Sequence, residues 1–182
     1  FGEDDIVRVD DDYVTFSNHT SIENQWDHFA FVREGTSVKM YVNGVLKETE
    51  TGSGDFSSIN SKIDRIGGAT TGSTSYKECK LSNMGVWSRA LSVAEIQGIM
   101  WKNYADLSTI DKSSLSAWWA LQADVNDSQG SYNGTNNGAT INTSAYGNNS
   151  PFLPRVVDQA DPKDAVQLST GSTYFDGSKI SI

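Results

Sequence analysis

Residues 38–48 read VKMYVNGVLKE, and this stretch decides the fold. Apolar residues at positions 38, 40 and 42 alternate with Lys39 and Tyr41, which predicts a half-buried strand with one face on the core and the other toward solvent. Asn43 and Gly44 follow, and both residue types tolerate the positive φ that a type I′ turn requires. The stretch therefore predicts an antiparallel β-hairpin.

Short strands separated by turn residues recur on both sides of this hairpin. Three aspartates at 10–12 separate two strand-like runs, which predicts a second hairpin. Further strands are predicted at residues 28–33, 63–66, 81–87, 115–121, 139–143, 166–169 and 173–177. The fold class expected from this pattern is all-β with antiparallel sheets.

One short helix is predicted near residues 92–103. Ser92 and Glu95 have the spacing of a capping box, in which each side chain accepts a hydrogen bond from a free backbone N–H of the first turn. Ile96, Ile99 and Met100 follow at helical spacing, so we expect one apolar stripe to pack on the sheet.

Charge and composition narrow the class of protein. The 182 residues carry a formal net charge of −9, which disfavours nucleic acid because affinity for phosphate backbones comes largely from Lys and Arg. No window approaches the roughly 18 apolar residues of a membrane span, so membrane insertion is not expected.

The single cysteine, Cys79, cannot form an internal disulfide. The chain begins at Phe1 and ends in a strand-like KISI, so we expect a piece of something longer.

Several motifs resemble the laminin G-like branch of the concanavalin A-like lectin and glucanase superfamily. WDHFAFVR at residues 26–33 is similar to its Trp-x-His-x-Ala strand, and VKMYVNG at 38–44 to its Tyr-Val-Asn-Gly hairpin. The pairs at 66–67 and 86–87, and SRALS at 88–92, resemble its final strands and closing helix. The resemblance implies an antiparallel jelly-roll β-sandwich whose rim loops are available for ligands.

The order of the motifs is inverted relative to that family. Residues 1–105 resemble the later part of one sandwich, 106–114 a connection, and 115–182 the opening part of a following sandwich. One permuted or incomplete sandwich is the alternative. A similar tandem arrangement, poor in Cys and rich in Asn, Ser, Thr and Gly, is familiar from tailed-phage fibre and decoration proteins.

The sequence predicts no catalytic centre. Glycosidases of the superfamily resemble one another in a Glu-x-Asp-x-x-Glu strand that supplies nucleophile and acid, and this chain has no such run. Neither His19 nor His28 has a partner at metal-ligand spacing. We interpret His28 as a hydrogen-bonded histidine at the sandwich edge, on the same face as Ala30 and Val32.

Calcium is the cofactor that the resemblance allows, although none is required. Asp127 and Asn133 match residues of the family's calcium-binding loop, and oxygen-rich loops suit this hard cation. The acidic pair expected before the final strand is replaced by Ser82 and Asn83.

Carbohydrate binding needs an exposed ring to stack on sugar C–H faces and polar groups to bond hydroxyls. Candidates lie in Gly-, Ser- and Asn-rich loops: Tyr76, Tyr132, Asn133, Asn136, Asn137 and Tyr146. The competing interpretation is that these tyrosines cover a sheet edge. Four tryptophans on strands are expected in the core: Trp26, Trp87, Trp118 and Trp119.

The function predicted from these features is that of a non-catalytic virion or cell-surface structural protein whose sandwich domains bind glycans. Its expected partners are a surface glycan or host-cell surface, other virion proteins, or copies of itself, and its expected location is the virion surface or the extracellular space. Two alternatives stay open: an architectural spacer without a ligand, and a carbohydrate-binding accessory module of a secreted polysaccharide-degrading enzyme.

Overall fold

A computed structural model describes residues 5–9, 12–16, 26–51, 65–66, 80–142, 156–158, 165–168 and 179–181. The described residues contain these strands: β1 (Asp5–Val9), β2 (Asp12–Phe16), β3 (Phe29–Glu34), β4 (Ser37–Val42), β5 (Val45–Thr51), β6 (Arg65–Ile66), β7 (Lys80–Leu81), β8 (Met84–Trp87), β9 (Leu115–Trp119), β10 (Gly134–Asn137), β11 (Thr140–Asn142), β12 (Val156–Asp158), β13 (Ala165–Leu168) and β14 (Lys179–Ser181). They also contain one α-helix, α1 (Val93–Ile99), and a 3-10 turn, Tyr104–Asp106.

The strands form antiparallel sheets, which confirms the predicted fold class. The largest has six strands in the order β5-β4-β3-β14-β8-β9. Two three-stranded sheets run β10-β13-β6 and β11-β12-β7, and β1 pairs with β2 as the predicted hairpin. No helix in the described ranges is long and apolar enough to cross a membrane.

The central hairpin has the predicted turn. Asn43 and Gly44 have φ values of 51° and 72°, as a type I′ turn requires. The predicted alternation of β4 holds from Ser37 to Met40, but it was wrong for Tyr41, which is only 5% exposed. Its face of the sheet is covered by α1, whose Ile96 and Ile99 belong to the same buried cluster as Tyr41.

Helix α1 begins as predicted and ends earlier. The Ser92 Oγ accepts a hydrogen bond from the Glu95 N–H at 3.3 Å, and the Glu95 Oε2 accepts one from the Ser92 N–H at 2.8 Å. The predicted end at residue 103 was wrong. The Lys102 N–H donates to the Ile99 carbonyl at 2.8 Å, a three-residue step that tightens the last turn.

The six-stranded sheet buries side chains on both faces. One face holds the cluster under α1, which includes Ala30, Val32, Trp87 and Trp118. The opposite face contributes Val86, Ala117 and Trp119 to a second cluster, and it contributes Val38 and Met40 to a third, which Phe16 of β2 completes. Trp87, Trp118 and Trp119 are therefore core residues as predicted, whereas Trp26 is only half-buried.

Strands from both parts of the chain share the sheets. In the six-stranded sheet β14 lies between β3 and β8, and β9 pairs with β8. Residues 106–114, predicted as a connection, are held to the end of β8. The Trp87 indole N–H donates to the Asp111 carbonyl at 2.8 Å, and the Ser88 N–H donates to the Ser114 carbonyl at 2.9 Å. The division into domains stays a prediction.

Candidate functional site

The loop after β9 is organised around the carboxylate of Asp127, which is only 4% exposed. Its Oδ1 accepts hydrogen bonds from the backbone N–H groups of Trp118 at 2.8 Å and Gln129 at 2.9 Å. Its Oδ2 accepts from those of Ser131 and Tyr132, both at 3.1 Å. Because backbone donors fill both oxygens, this side chain fixes the path of the loop from β9 to β10.

Two further contacts tie the same loop to the sheet. The Trp119 indole N–H donates to the Tyr132 carbonyl at 2.7 Å. The Ser128 N–H donates to the Trp118 carbonyl at 2.7 Å. The loop is therefore a rigid extension of β9 rather than a loose connection.

Four of the six predicted carbohydrate-binding residues are described, and they lie along this loop and β10. Tyr132 is half-buried and packs against the cluster around Trp119, whereas Asn133 is exposed and its Oδ1 accepts a hydrogen bond from the Asp127 N–H at 3.0 Å. Asn136 and Asn137 are exposed at the end of β10. Tyr76 and Tyr146 lie outside the described residues.

Asn136 also shapes the turn between β10 and β11. Its amide Nδ2 donates to the Ala139 carbonyl at 2.7 Å, and its Oδ1 accepts from the Gly138 N–H at 3.0 Å. An asparagine that satisfies its own turn has less capacity left for a ligand. Both polar atoms of the Asn136 amide are therefore used within its own turn.

The predicted calcium ligands, Asp127 and Asn133, are adjacent. Both Asp127 oxygens already receive backbone N–H donors, so a calcium ion could bind there only by displacing them. In the part of the chain that the structure describes, no group of three or more His, Cys, Asp or Glu side chains could hold a metal ion. Calcium at these two residues stays a prediction.

The positions where the family's acidic pair was expected hold an amide network instead. The Asn83 Nδ2 and the Gln122 Nε2 both donate to the Asn103 Oδ1, at 3.0 and 3.2 Å. The Asn83 N–H also bonds the Ala120 carbonyl at 3.2 Å. This network joins the start of β8, the end of β9 and the segment after α1 at one end of the six-stranded sheet.

His28 lies at the same end of the sheet, but its Nδ1 lacks the hydrogen bond that was predicted for this side chain. Its Nδ1 is buried without a hydrogen-bond partner, and burial lowers the pKa of the imidazole to about 4. Its backbone is hydrogen-bonded, since its N–H donates to the Asn43 Oδ1 at 2.9 Å. The ring is therefore neutral at neutral pH and acts as part of the packing.

Sequence reasoning missed Trp101, which is 49% exposed and meets the His28 ring edge-on at 6.4 Å between centroids. Helical spacing gives no signal for this residue, because Trp101 follows the C-cap of α1.

The pKa shifts of Glu95 and Asp111 do not suit these carboxyls to donate a proton. The Arg89 guanidinium, followed by hydrogen bonds from Ser92, lowers the pKa of Glu95 to about 2. The Lys102 ammonium lowers the pKa of Asp111, with further hydrogen bonds from Ser108. A glycosidase acid needs a raised pKa, so neither carboxylate suits that role.

One family matches the chain. The sequence model of Laminin_G_3, described as the concanavalin A-like lectin/glucanases superfamily, matches residues 6–97, just over half of the chain. This range includes the β4–β5 hairpin and the first turn of α1. No curated protein and no solved structure matches the chain.

Proposed function

This chain belongs to the concanavalin A-like lectin/glucanase superfamily, and we propose that it is a non-catalytic module that binds surface glycans. Domains of this kind are often carbohydrate-binding or adhesion modules, and they are typically extracellular or surface-exposed. For this chain we assign glycan binding to the rim loops, and we expect the sandwich to have no hydrolytic activity.

The observation that carries the proposal is the rigid, amide-rich rim at the loop from β9 to β10. Asn133 is exposed next to Tyr132, on a backbone that the buried Asp127 carboxylate holds through four N–H groups, and Asn137 is exposed at the far end of β10. Asparagine amides offer both donors and acceptors to sugar hydroxyls. Because the loop is already ordered, binding costs less conformational entropy than ordering a free loop would.

The sequence and the pKa directions support the proposal that the chain has no hydrolytic activity. The chain lacks a Glu-x-Asp-x-x-Glu run, and among the described carboxyls Glu95 and Asp111 both have lowered pKa values. A retaining glycosidase needs one carboxylic acid that stays protonated near the working pH. Incubation with a bound polysaccharide should therefore release no new reducing ends.

We further propose that the full protein is a phage fibre or a capsid or tail decoration, with other virion proteins or copies of itself as neighbours. The composition supports this, because one cysteine in 182 residues and a charge of −9 suit a surface protein that is assembled without disulfides. We also propose one permuted sandwich within this chain, because β9 and β14 pair with β8 and β3.

One observation supports the alternative function, that of an architectural spacer without a ligand. Val45 and Leu46 are exposed on β5, which is an edge strand of the six-stranded sheet. An edge strand with exposed apolar side chains is a surface on which another protein strand could pair. A spacer of this kind would show association between copies and no glycan binding.

The direct test presents the whole chain to an array of neutral and acidic oligosaccharides. We expect binding by the wild-type chain, and about tenfold weaker binding by Asn137→Ala, since one or two lost hydrogen bonds are worth about that factor. Asn126→Ala is the control, because Asn126 is also an exposed asparagine and its amide donates to the Asp124 Oδ2 at 2.8 Å within its own turn. Wild-type chain that binds no glycan on the array would refute the proposed function.

A further inference from the structure

An asparagine that is followed by glycine can modify itself without an enzyme. The backbone nitrogen of the glycine attacks the side-chain Cγ of the asparagine and closes a five-membered succinimide, and the side-chain nitrogen leaves as ammonia. Water then opens the ring at one of its two carbonyls and gives aspartate or isoaspartate. Glycine favours this attack because it has no Cβ to block the close approach of its backbone.

The chain contains three such pairs, at residues 43–44, 133–134 and 137–138, and the structure describes all of them. Gly44 is buried and Gly134 is half-buried, whereas both members of the pair at 137–138 are exposed. The attack requires a base that removes the proton from the glycine nitrogen, and it requires room for the backbone to turn. Exposure of both residues therefore favours the third pair.

The side chain of the first pair is fixed at both ends of its amide. The Asn43 Oδ1 accepts the His28 N–H at 2.9 Å, and its Nδ2 donates to the Asp27 Oδ1 at 2.8 Å. The Gly44 carbonyl accepts a hydrogen bond from the Gln97 Nε2 at 3.0 Å, so the backbone of the turn is also tied to α1. The succinimide can form here only after contacts with distant segments break.

The second pair is held through both of its reacting groups. The Gly134 N–H, whose nitrogen would attack, donates to the Val125 carbonyl at 2.8 Å. The Asn133 Oδ1 accepts the N–H of the buried Asp127 at 3.0 Å. Both bonds belong to the loop that the Asp127 carboxylate orders, so this loop must open before the two groups can react.

At the third pair the bond to the attacking nitrogen is local. The Gly138 N–H donates to the Asn136 Oδ1 at 3.0 Å, and Asn136 is itself exposed in the turn between β10 and β11. A small movement of this exposed side chain releases the nitrogen, and no distant segment has to leave Gly138.

We propose that the Asn137-Gly138 pair is a site of spontaneous deamidation, and that Asn43 and Asn133 are protected in the folded chain. The reaction adds one negative charge beside the turn between β10 and β11. It also replaces an amide, which donates and accepts hydrogen bonds, with a carboxylate that only accepts them. The inference does not depend on the proposed function, since the reaction consumes only water and releases ammonia.

The test compares the whole folded chain with the same chain unfolded in guanidinium chloride, both at mildly alkaline pH. Peptide mapping by tandem mass spectrometry gives the rate of deamidation at each asparagine. In the unfolded chain we expect similar rates at the three pairs, because glycine follows each asparagine. One hydrogen bond that must break slows the reaction about fivefold, and two slow it about thirtyfold. Folding should therefore slow the reaction about fivefold at Asn137 and about thirtyfold or more at Asn43 and Asn133.

Asn137→Gln removes the reacting asparagine and keeps a side-chain amide, so it should remove most of the acidic band that isoelectric focusing shows for the incubated wild type. Asn126→Gln is the matched control, because Asn126 is an exposed asparagine that aspartate follows. It should form the band as the wild type does, and both variants should keep the wild-type urea midpoint. Folded chain that reacts at Asn43 or Asn133 as fast as at Asn137 would overturn the inference. Equal acidification of the wild type and Asn137→Gln would overturn it as well.

Discussion

Replacing Gly85 with alanine would insert a methyl group between two tryptophan rings. Gly85 lies on β8 opposite Trp118 of β9, and the rings of Trp87 and Trp118 stand at 90° to each other with centroids 6.0 Å apart. A Cβ at position 85 would lie 2.6 Å from the Trp118 Cε3 and 2.7 Å from both the Trp87 Cη2 and Cζ3.

The steric overlap of the new methyl group sets the size of the loss in stability. Carbon atoms pack best at about 3.5–4.0 Å, so the new methyl would be roughly 1 Å too close to three ring carbons. All three belong to rigid, buried rings, which cannot swing aside as the end of a flexible side chain can. Overpacking of this kind costs about 1–3 kcal/mol, and the lower backbone entropy of alanine offsets only about 0.5–1 kcal/mol of it. Because three ring carbons lie under 3.0 Å, the cost is near the upper end of that range, and we expect Gly85→Ala to lower the free energy of unfolding by about 2 kcal/mol.

Urea denaturation followed by tryptophan fluorescence measures this change, and near-UV circular dichroism reports the two rings directly. Gly98→Ala is the matched control, because a Cβ at position 98 of α1 would meet no atom within 4 Å. That substitution should raise the free energy of unfolding by about 1 kcal/mol through helix propensity. The same chemical change thus has opposite signs at the two sites. If Gly85→Ala were as stable as the wild type with an unchanged denaturant slope, the packing of the two rings over Gly85 would be wrong.

Two further measurements test the loop and the histidine. Asp127→Asn keeps the shape of the side chain but turns an NH2 group toward two of the four backbone donors. We therefore expect it to lower the free energy of unfolding, measured by urea denaturation, by about 3 kcal/mol. A decrease below about 1 kcal/mol would contradict the role of the carboxylate. His28 has a pKa of about 4 when folded and 6.5 when unfolded, so its contribution is complete above pH 6.5 and is lost as the pH falls toward 4. We expect the free energy of unfolding to drop by about 2 kcal/mol between pH 7.5 and pH 5 in the wild type, and a much smaller drop in His28→Gln; equal drops in the two proteins would exclude this cause.

The candidate site was predictable only in part, and the residues show why. Asn133, Asn136 and Asn137 were predictable from their place near Tyr132 in an Asn- and Gly-rich segment, and all three are exposed. The half-buried position of Tyr132 depends on the cluster around Trp119, which forms from strands far apart in the sequence. The role of Asp127 as an acceptor for four N–H groups likewise follows from the path of the loop around it.

The sequence by itself determined the elements whose causes lie within a few residues. The Asn43-Gly44 turn follows from the tolerance of both residues for positive φ, and the start of α1 follows from the reciprocal bonds of Ser92 and Glu95. Tertiary structure alone decided that β14 lies between β3 and β8, that α1 covers Tyr41, and that Trp101 stays exposed beside His28. These outcomes depend on which distant segments pair so that the buried apolar area repays the entropy of closing the loops between them. The whole chain determines this balance, so no short stretch of the sequence predicts it.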